Sequence, residues 1–343
     1  MRMTGYDGRL GWAITTILCA AFQLRAGIAD FAGSDNFDDN ATDSLLWTPF
    51  TLEGSCDLTE ANSRLHFTST YVFPFPPINN VAIRTWVKGN APFGEDWEVQ
   101  VSGHLPAGVP SDSGDPSEIG LTACPNDIAN FYGYENVAGV SLEPGTVLES
   151  KLIHQSSSSR SHAFGSDAVF RLRWDAVART LYTAVSPDGG TTWQTQWPEG
   201  LLADSEWNMS ASDHFVVSVF GQAQGVTVNL ADNMYLDDFR TWRGPWSGAA
   251  DVGSGWRLSD WFGSFADVGS GWIYHLRHGW MYAAGASASS LWLYTFDLGW
   301  LWTSRNVYPW LYLNDRSAWA WYYLNSQSPR WFYVSQGGWE SHY

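Results

Sequence analysis

The chain has 343 residues, a formal net charge of -17 and a pI near 4.6, enough length for a sizeable core and two domains. Its only lysines are Lys88 and Lys151, and this acidic balance excludes nucleic acid and anionic membrane as natural partners.

The opening reads as a secretion signal spanning 1–29. Arg2 and Arg9 precede an apolar run from Leu10 to Phe22, and the small residues Ala26, Gly27 and Ala29 follow. That run is shorter than the ~20 residues a spanning helix needs, so a membrane anchor is the weaker alternative. Cleavage would remove Cys19 and leave Cys56 and Cys124. An even pair in an exported chain is expected to form a disulfide, against the alternative of two buried thiols.

Residues 30–243 read as all-β. Period-two or β-rich runs recur between turn residues: Arg64–Thr70, Ala82–Lys88, Trp97–Leu105, Val147–His154, Ala168–Trp174, Thr180–Ser186, Trp193–Trp197, His214–Phe220, Val226–Leu230 and Met234–Trp242. So many short strands, with no capped helical period, predict a two-sheet sandwich of jelly-roll type. Gln155–Ser161, with its serine run, is expected to be a solvated loop. Ser186-Pro-Asp188-Gly-Gly190-Thr-Thr192-Trp193 fits the Asp-box pattern, a hairpin turn in which Asp188 bonds turn amides and Gly190 takes a positive φ. Sialidases repeat that motif on several blades; here it occurs once, which favours a structural turn. Asn40-Ala-Thr42 and Asn208-Met-Ser210 fit the glycosylation sequon.

Asp35-Asn-Phe37-Asp38-Asp39 opens this region and Tyr235-Leu-Asp237-Asp238-Phe239 closes it. The two motifs resemble the terminal strands of concanavalin-A-like and jelly-roll carbohydrate-binding domains. The resemblance implies a lectin-like fold, neighbouring first and last strands, and a glycan ligand. It also implies a structural calcium, carried over onto Asp38 and Asp238, with Asp39 and Asp237 beside them. The alternative is solvated surface carboxylates. Glu95-Asp96-Trp97-Glu98 superficially resembles the carboxylate cluster of laminarinase-type glycosidases. Neighbouring strand residues point to opposite faces, so Glu95 and Asp96 diverge, as do Glu95 and Glu98. The expectation is therefore a chain that is not an enzyme.

A small-residue stretch, 244–255, is expected to link this domain to the next. Ala250-Asp-Val-Gly-Ser-Gly-Trp256 recurs letter for letter as Ala266-Asp-Val-Gly-Ser-Gly-Trp272, marking Trp256–Phe262 as a degenerate opening unit.

The last segment, 256–343, holds twelve of the chain's 22 tryptophans and nine of its 15 tyrosines. Trp272-Ile-Tyr274, Trp292-Leu-Tyr294, Trp310-Leu-Tyr312 and Trp331-Phe-Tyr333 are each followed by a second aromatic cluster, with first tryptophans 20, 18 and 21 residues apart. Such a period marks a repeat array. Each unit reads as a β-hairpin, with Tyr294 opposite Trp300, Trp292 opposite Trp302, and Gly299 closing the loop at positive φ. The hairpins are expected at Trp272–Tyr282, Trp292–Trp302, Trp310–Trp321 and Trp331–Trp339, each covering its predecessor, with some rings forming the core. His275 and His278 are expected in a solvated loop.

Trp319-Ala-Trp321-Tyr322-Tyr323-Leu324-Asn325 resembles the core of the choline-binding and glucan-binding repeats of bacterial surface proteins. The resemblance implies rings that cage a quaternary ammonium or stack on sugars. It points to Trp292, Trp302, Trp310 and Trp321 of the interior units as ligand-binding residues. This chain departs from the family in the extra apolar residues that follow its tryptophans. The alternative is an aromatic stripe that serves only as core or assembly surface. The functional expectation is a secreted or cell-surface protein that binds extracellular or cell-envelope glycan. A structural protein without a small ligand and a glycan-cleaving enzyme are the alternatives.

Overall fold

The computed structural model describes residues 33–71, 81–111, 116–126, 136–247, 249–269, 271–287, 289–335 and 337–343. The expected signal segment, 1–29, lies outside the described residues. Among those described, no helix is long and apolar enough to cross a membrane. The fold is all-β: a jelly-roll sandwich of two seven-stranded sheets, followed by a separate eleven-stranded antiparallel sheet.

The first sheet runs in the order β1 (Thr48–Glu53), β4 (Val81–Pro92), β13 (His214–Gln224), β6 (Glu118–Pro125), β7 (Val137–Glu143), β8 (Thr146–Ile153) and β9 (Ser156–Ala163). The second runs β12 (Leu201–Leu202), β11 (Thr180–Ser186), β10 (Asp167–Asp175), β5 (Trp97–His104), β14 (Tyr235–Arg243), β3 (Arg64–Thr70) and β2 (Ser55–Ala61). Large rings fill the interior. Trp47 lies 4.8 Å from Phe239 and 5.8 Å from Trp86, and Trp97 and Trp174 are also fully buried. The Lys88 ammonium sits over the Trp47 ring at 4.9 Å, a cation–π contact.

The chain's two ends of this region meet as expected. Asp35 and Phe239 exchange both backbone hydrogen bonds at 2.8 Å, and the Asp35 carboxylate accepts from the Trp47 indole at 2.7 Å. The Asp-box turn also forms. Asp188 accepts from the amides of Thr191 and Thr192 and from the hydroxyls of Ser186 and Thr192, while Gly190 has φ +90°. These donors, led by the Thr192 hydroxyl, hold the Asp188 carboxyl down at about 2.

Two expectations fail here. Ser156–Ser159 is not a loop but part of β9, an edge strand whose exposed polar side chains still pair register-by-register with β8. Cys56 and Cys124 are thiols with no bridge between them. Cys56 is on β2 at the edge of the second sheet, opposite Ser69, whereas Cys124 is on β6 inside the first, opposite Val216. An even count of cysteines says nothing about which sheet receives each.

The described residues divide into two compact units. The second consists of Trp242–Tyr343 together with Phe93–Glu98 and Arg173–Thr180. Its sheet is a simple meander in chain order: β15 (Ala250–Gly253), β16 (Trp256–Ser259), β17 (Gly263–Gly269), β18 (Trp272–His275), β19 (Gly279–Ser287), β20 (Ser290–Thr295), β21 (Gly299–Ser304), β22 (Trp310–Leu313), β23 (Ala318–Tyr322), β24 (Arg330–Val334) and β25 (Gly338–His342). The stretch 244–255 contributes a 3-10 turn at Gly244–Trp246 and the strand β15. Trp246 itself packs 4.2 Å from Phe265.

Candidate saccharide-binding face

The hairpin registers match the sequence pattern. Trp292 faces Trp302, Tyr294 faces Trp300, and Gly299 has φ +70°. Trp272 likewise faces Tyr282, Trp310 faces Trp321, and Tyr333 faces Trp339. Consecutive hairpins then join edge to edge into one sheet rather than laying one ring layer over another.

Some rings belong to the core, as expected, but most of the buried side of the hairpins is aliphatic. On β20, Leu291 and Leu293 are fully buried while Trp292 is 39% exposed. The same alternation buries Ile273, Met281, Leu301, Leu311, Leu313, Ala318, Ala320, Phe332 and Val334. The apolar residues that follow the tryptophans thus supply much of the core, and the rings of Trp246, Phe262, Phe265, Tyr322 and Phe332 fill the rest of it.

The histidines are likewise not solvated. His275 and His278 close the β18–β19 turn over the core. The His275 Nδ1 accepts from the amides of Arg277 and His278, its Nε2 lies 2.9 Å from the Phe262 carbonyl, and His278 Nε2 lies 3.1 Å from the Tyr308 hydroxyl. Burial first, then the Arg277 and Arg330 charges, pushes His275 down to about 4; burial and His275 push His278 well below its ordinary value. Both rings are therefore neutral at pH 7. A turn whose amides need acceptors inside a closed core explains their placement.

Outward, the strand registers line the rings into rows that cross four strands each. Trp272, Tyr282, Tyr294 and Trp300 form one row. Trp292, Trp302, Tyr312 and Trp319 form the next. Trp310, Trp321, Tyr333 and Trp339 form the last. Trp256, Ala266, Tyr274 and Trp280 begin the series, with alanine in the second place. Every row reads Trp-x-Tyr-Trp, and each is displaced from its predecessor by two strands.

Within each of the three complete rows the fourth ring meets the third edge-on or tilted, at 5.6, 5.5 and 5.7 Å, and the second at 6.3, 6.0 and 6.1 Å. Such edge contacts hold the rings in place and leave their outer surfaces open. Of the four tryptophans expected to bind, Trp292 and Trp310 lead their rows and are exposed; Trp302 and Trp321 take second place and are half-buried. Trp302 also donates its indole N–H to the Ser290 hydroxyl at 3.1 Å. Trp280, Trp319 and Trp339, in fourth place, are exposed as well. Period-two spacing sets these three on the same face as the four expected tryptophans.

The sandwich residues expected to hold calcium meet other partners. Asp238, at φ +55°, takes both nitrogens of the Arg240 guanidinium, at 3.0 and 2.7 Å. Asp237 lies 3.9 Å from Arg64, and burial raises its carboxyl above the usual range. Asp38 accepts from the Asn36 amide, and Asp39 accepts from the Ala41 N–H. Calcium requires six to eight oxygens. Among the described residues no three acidic, histidine or cysteine side chains converge as a metal-holding group, so these four do not fit that ion as they stand. Beside Asp39, Glu60 is pushed up to about 8, by burial first and then by Asp39 and Asp35.

Glu95 is tied to Arg243 at 2.8 Å, and Asp96 accepts from the Ala176 amide, so both have structural partners. A different carboxylate, Glu118 on β6, was not singled out by its sequence. Gln222 on β13 donates to it at 2.8 Å, and Glu143 on β7 lies just past the end of the β6–β7 ladder at Ile119–Leu142. Burial, reinforced by the Glu143 charge, raises its carboxyl to about 7. Only the pairing of distant strands reveals that neighbourhood.

No family model matches the chain, and no curated protein matches it. Among solved structures the chain is similar to an endo-1,3-beta-glucanase from Streptomyces sioyaensis, at 12% identity over 62% of this chain and 95% of that one, with a TM-score of 0.41. It is similar to winged bean acidic lectin complexed with methyl-alpha-D-galactose, at 12% identity over 62% and 98%, TM-score 0.39. A third similar structure is the GH43 BlXynB protein from Bacillus licheniformis, at 14% identity over 62% and 39%, TM-score 0.37. The expectation of a chain that is not an enzyme is corrected by this company, which includes glycoside hydrolases, and it is withdrawn. No residue role is carried over from these proteins.

Proposed function

We propose that this is a carbohydrate-recognising protein of the cell exterior, holding extracellular or cell-envelope glycan on the outward aromatic face of its hairpin sheet. The observation that carries the reading is the outward set of rings: a core of aliphatic residues and other rings is complete on one side of the sheet, while Trp280, Trp292, Trp310, Trp319 and Trp339 stay exposed on the other. A contiguous apolar face of that kind marks an interaction site. Aromatic rings stack on the apolar faces of sugars while leaving hydroxyls in water, and an indole N–H remains to donate. Fluorescence titration of the full chain with soluble glucans tests this. A saturable change that Trp292→Ala and Trp310→Ala weaken is expected. No change, with self-association that masks the same rings, would instead make the face an assembly surface.

One observation favours a second activity, glycoside cleavage by the sandwich. Glu118 and Glu143 lie at the ends of the neighbouring strands β6 and β7, just past the Ile119–Leu142 pair, and burial together with the Glu143 charge raises the Glu118 carboxyl to about 7. A protonated carboxyl beside an ionised one is the requirement for a general acid and its partner. Release of phenol from aryl glycosides, lowered by roughly 10²–10⁴ in Glu118→Gln, would support it. Equal rates in both proteins would remove it.

A further inference from the structure

The three sheets end in β1 and β9, in β12 and β2, and in β15 and β25. An exposed edge is ready to pair with another strand, and proteins blunt such edges with short length, proline, bulges or charge. Most edges here are blunted. β1 carries Pro49 and a register shift between Thr51 and Glu53, β12 is only Leu201–Leu202, and β2 includes the exposed Asp57. β15 is four residues long with a register shift of its own, and Glu340, tied to Arg316, stands in the middle of β25. β9 has none of these devices. It pairs with β8 from Ser156 to Ala163 without a shift, holds no proline and no acidic residue, and is exposed from Ser156 to Ser161. Its one arginine does not guard the edge. The Arg160 guanidinium folds back over the Trp197 ring at 3.6 Å and donates to the Gln196 carbonyl.

The turn fixes which backbone groups point outward. His154 and Gln155, at φ +47° and +68°, form the two-residue loop between β8 and β9. Such a loop closes on a hydrogen-bonded pair, Ile153 with Ser156, and bonded pairs then alternate along the ladder. Ser158, Arg160 and His162 therefore bond to β8, while Ser157, Ser159 and Ser161 turn their N–H and C=O groups away from it. Among the described residues no backbone hydrogen bond from beyond β8 reaches those three serines. A second copy of the same strand, laid antiparallel, offers matching groups at matching intervals. A two-fold axis at Arg160 would set two guanidiniums opposite each other, which is unfavourable. An axis at Ser159 instead places Ser157 opposite Ser161 of the second copy and Arg160 opposite its Ser158. We infer that two copies of this chain pair through β9, joining their first sheets across a two-fold axis at Ser159. The interface is isologous and uses main-chain hydrogen bonds, with small side chains that raise no steric barrier.

Analytical ultracentrifugation of the full chain over a range of concentrations tests this. The chain should sediment as a dimer when concentrated and dissociate on dilution. Ser159→Pro removes an outward N–H and leaves the bonds to β8 intact, a change that an edge strand tolerates. Ser159→Lys sets two ammonium groups face to face on the axis. Each should weaken the dimer roughly tenfold, because both copies are altered at the same point, with the far-UV spectrum unchanged. Ser159→Cys should cross-link the copies under mild oxidation, since Cα atoms of a bonded pair lie about 5.5 Å apart. Ser157→Cys should not, because it faces Ser161 of the second copy. A chain monomeric at every concentration would overturn the inference. A dimer indifferent to both Ser159→Pro and Ser159→Lys would overturn it too, and would place self-association on another surface such as the ring face. Cross-linking of Ser157→Cys as fast as that of Ser159→Cys would contradict the axis.

Discussion

Tryptophan plays opposite parts in the sandwich sheets and in the hairpin sheet. Beside the sandwich sheets Trp47, and on their strands Trp86, Trp97 and Trp174, are sealed inside; in the hairpin sheet Trp280 and Trp339 are more than half exposed, and leucine and alanine take much of the interior. The difference follows from which residues of each strand alternate inward: on β20 Leu291 and Leu293 are buried while Trp292 is exposed. Ring content therefore says little about burial until the inward side of each strand is known.

Substitutions should separate the two uses of the same residue. Trp47→Ala should cost about 3–5 kcal/mol, the usual range for a core tryptophan. Leu293→Ala should cost about 2–5 kcal/mol in the other unit. Trp292→Ala, one residue away, should cost about 1 kcal/mol or less, because its ring is 39% exposed and lies outside the buried cluster. Chemical denaturation followed by far-UV dichroism, with a transition assigned to each unit, provides the comparison. A Trp292 penalty matching that of Leu293 would erase the distinction.

Acid should also divide the units. His275 falls to about 4 in the folded chain from an unfolded value near 6.5, so the unfolded state binds more protons between those limits. Its contribution is whole above pH 6.5 and is lost as pH falls toward 4. At 1.36 kcal/mol per unit this amounts to about 3 kcal/mol. Glu60 acts in reverse. Raised to about 8 from 4.5, it favours the folded sandwich fully below pH 4.5, and that contribution is lost as pH rises through 8. Melting at pH 5 should thus weaken the hairpin unit relative to pH 7, and Glu60→Gln should raise the sandwich transition at pH 8.5 but hardly at pH 5. A hairpin transition indifferent to acid would contradict the buried neutral histidines.

The smallest expected effect concerns calcium. Asp238 is held by Arg240 and Asp237 faces Arg64, so melting curves with calcium and with chelator should superimpose. A rise with calcium, enlarged in Arg240→Ala, would show that the ion displaces the guanidinium.

Much of this was legible in local pattern. Period-two spacing fixed which rings share a face, glycines located the hairpin turns, and Arg64–Thr70 and Thr180–Ser186 appear as strands with the expected bounds. The matching acidic motifs placed Asp35 beside Phe239. Periodicity cannot say which face is buried, because both faces of the hairpins are apolar. Nor could the sequence place Cys56 and Cys124 in different sheets, or Glu118 opposite Gln222, since both depend on strands paired across long separations. The Trp-x-Tyr-Trp rows were hidden for the same reason: each draws its members from two successive hairpins.

The central claim is that the hairpin rings face solvent and constitute the binding surface. Hydroxyl-radical footprinting of the full chain, read by mass spectrometry with and without a soluble gluco-oligosaccharide, tests it most directly. Free protein should be modified at Trp280, Trp292, Trp310 and Trp339 and spared at Trp47, Trp86, Trp97 and Trp174, with Trp310 and Trp339 losing reactivity when the oligosaccharide is present. Protection of the hairpin tryptophans in the free monomer, or reactivity unchanged by a saturating saccharide that binds elsewhere, would contradict it.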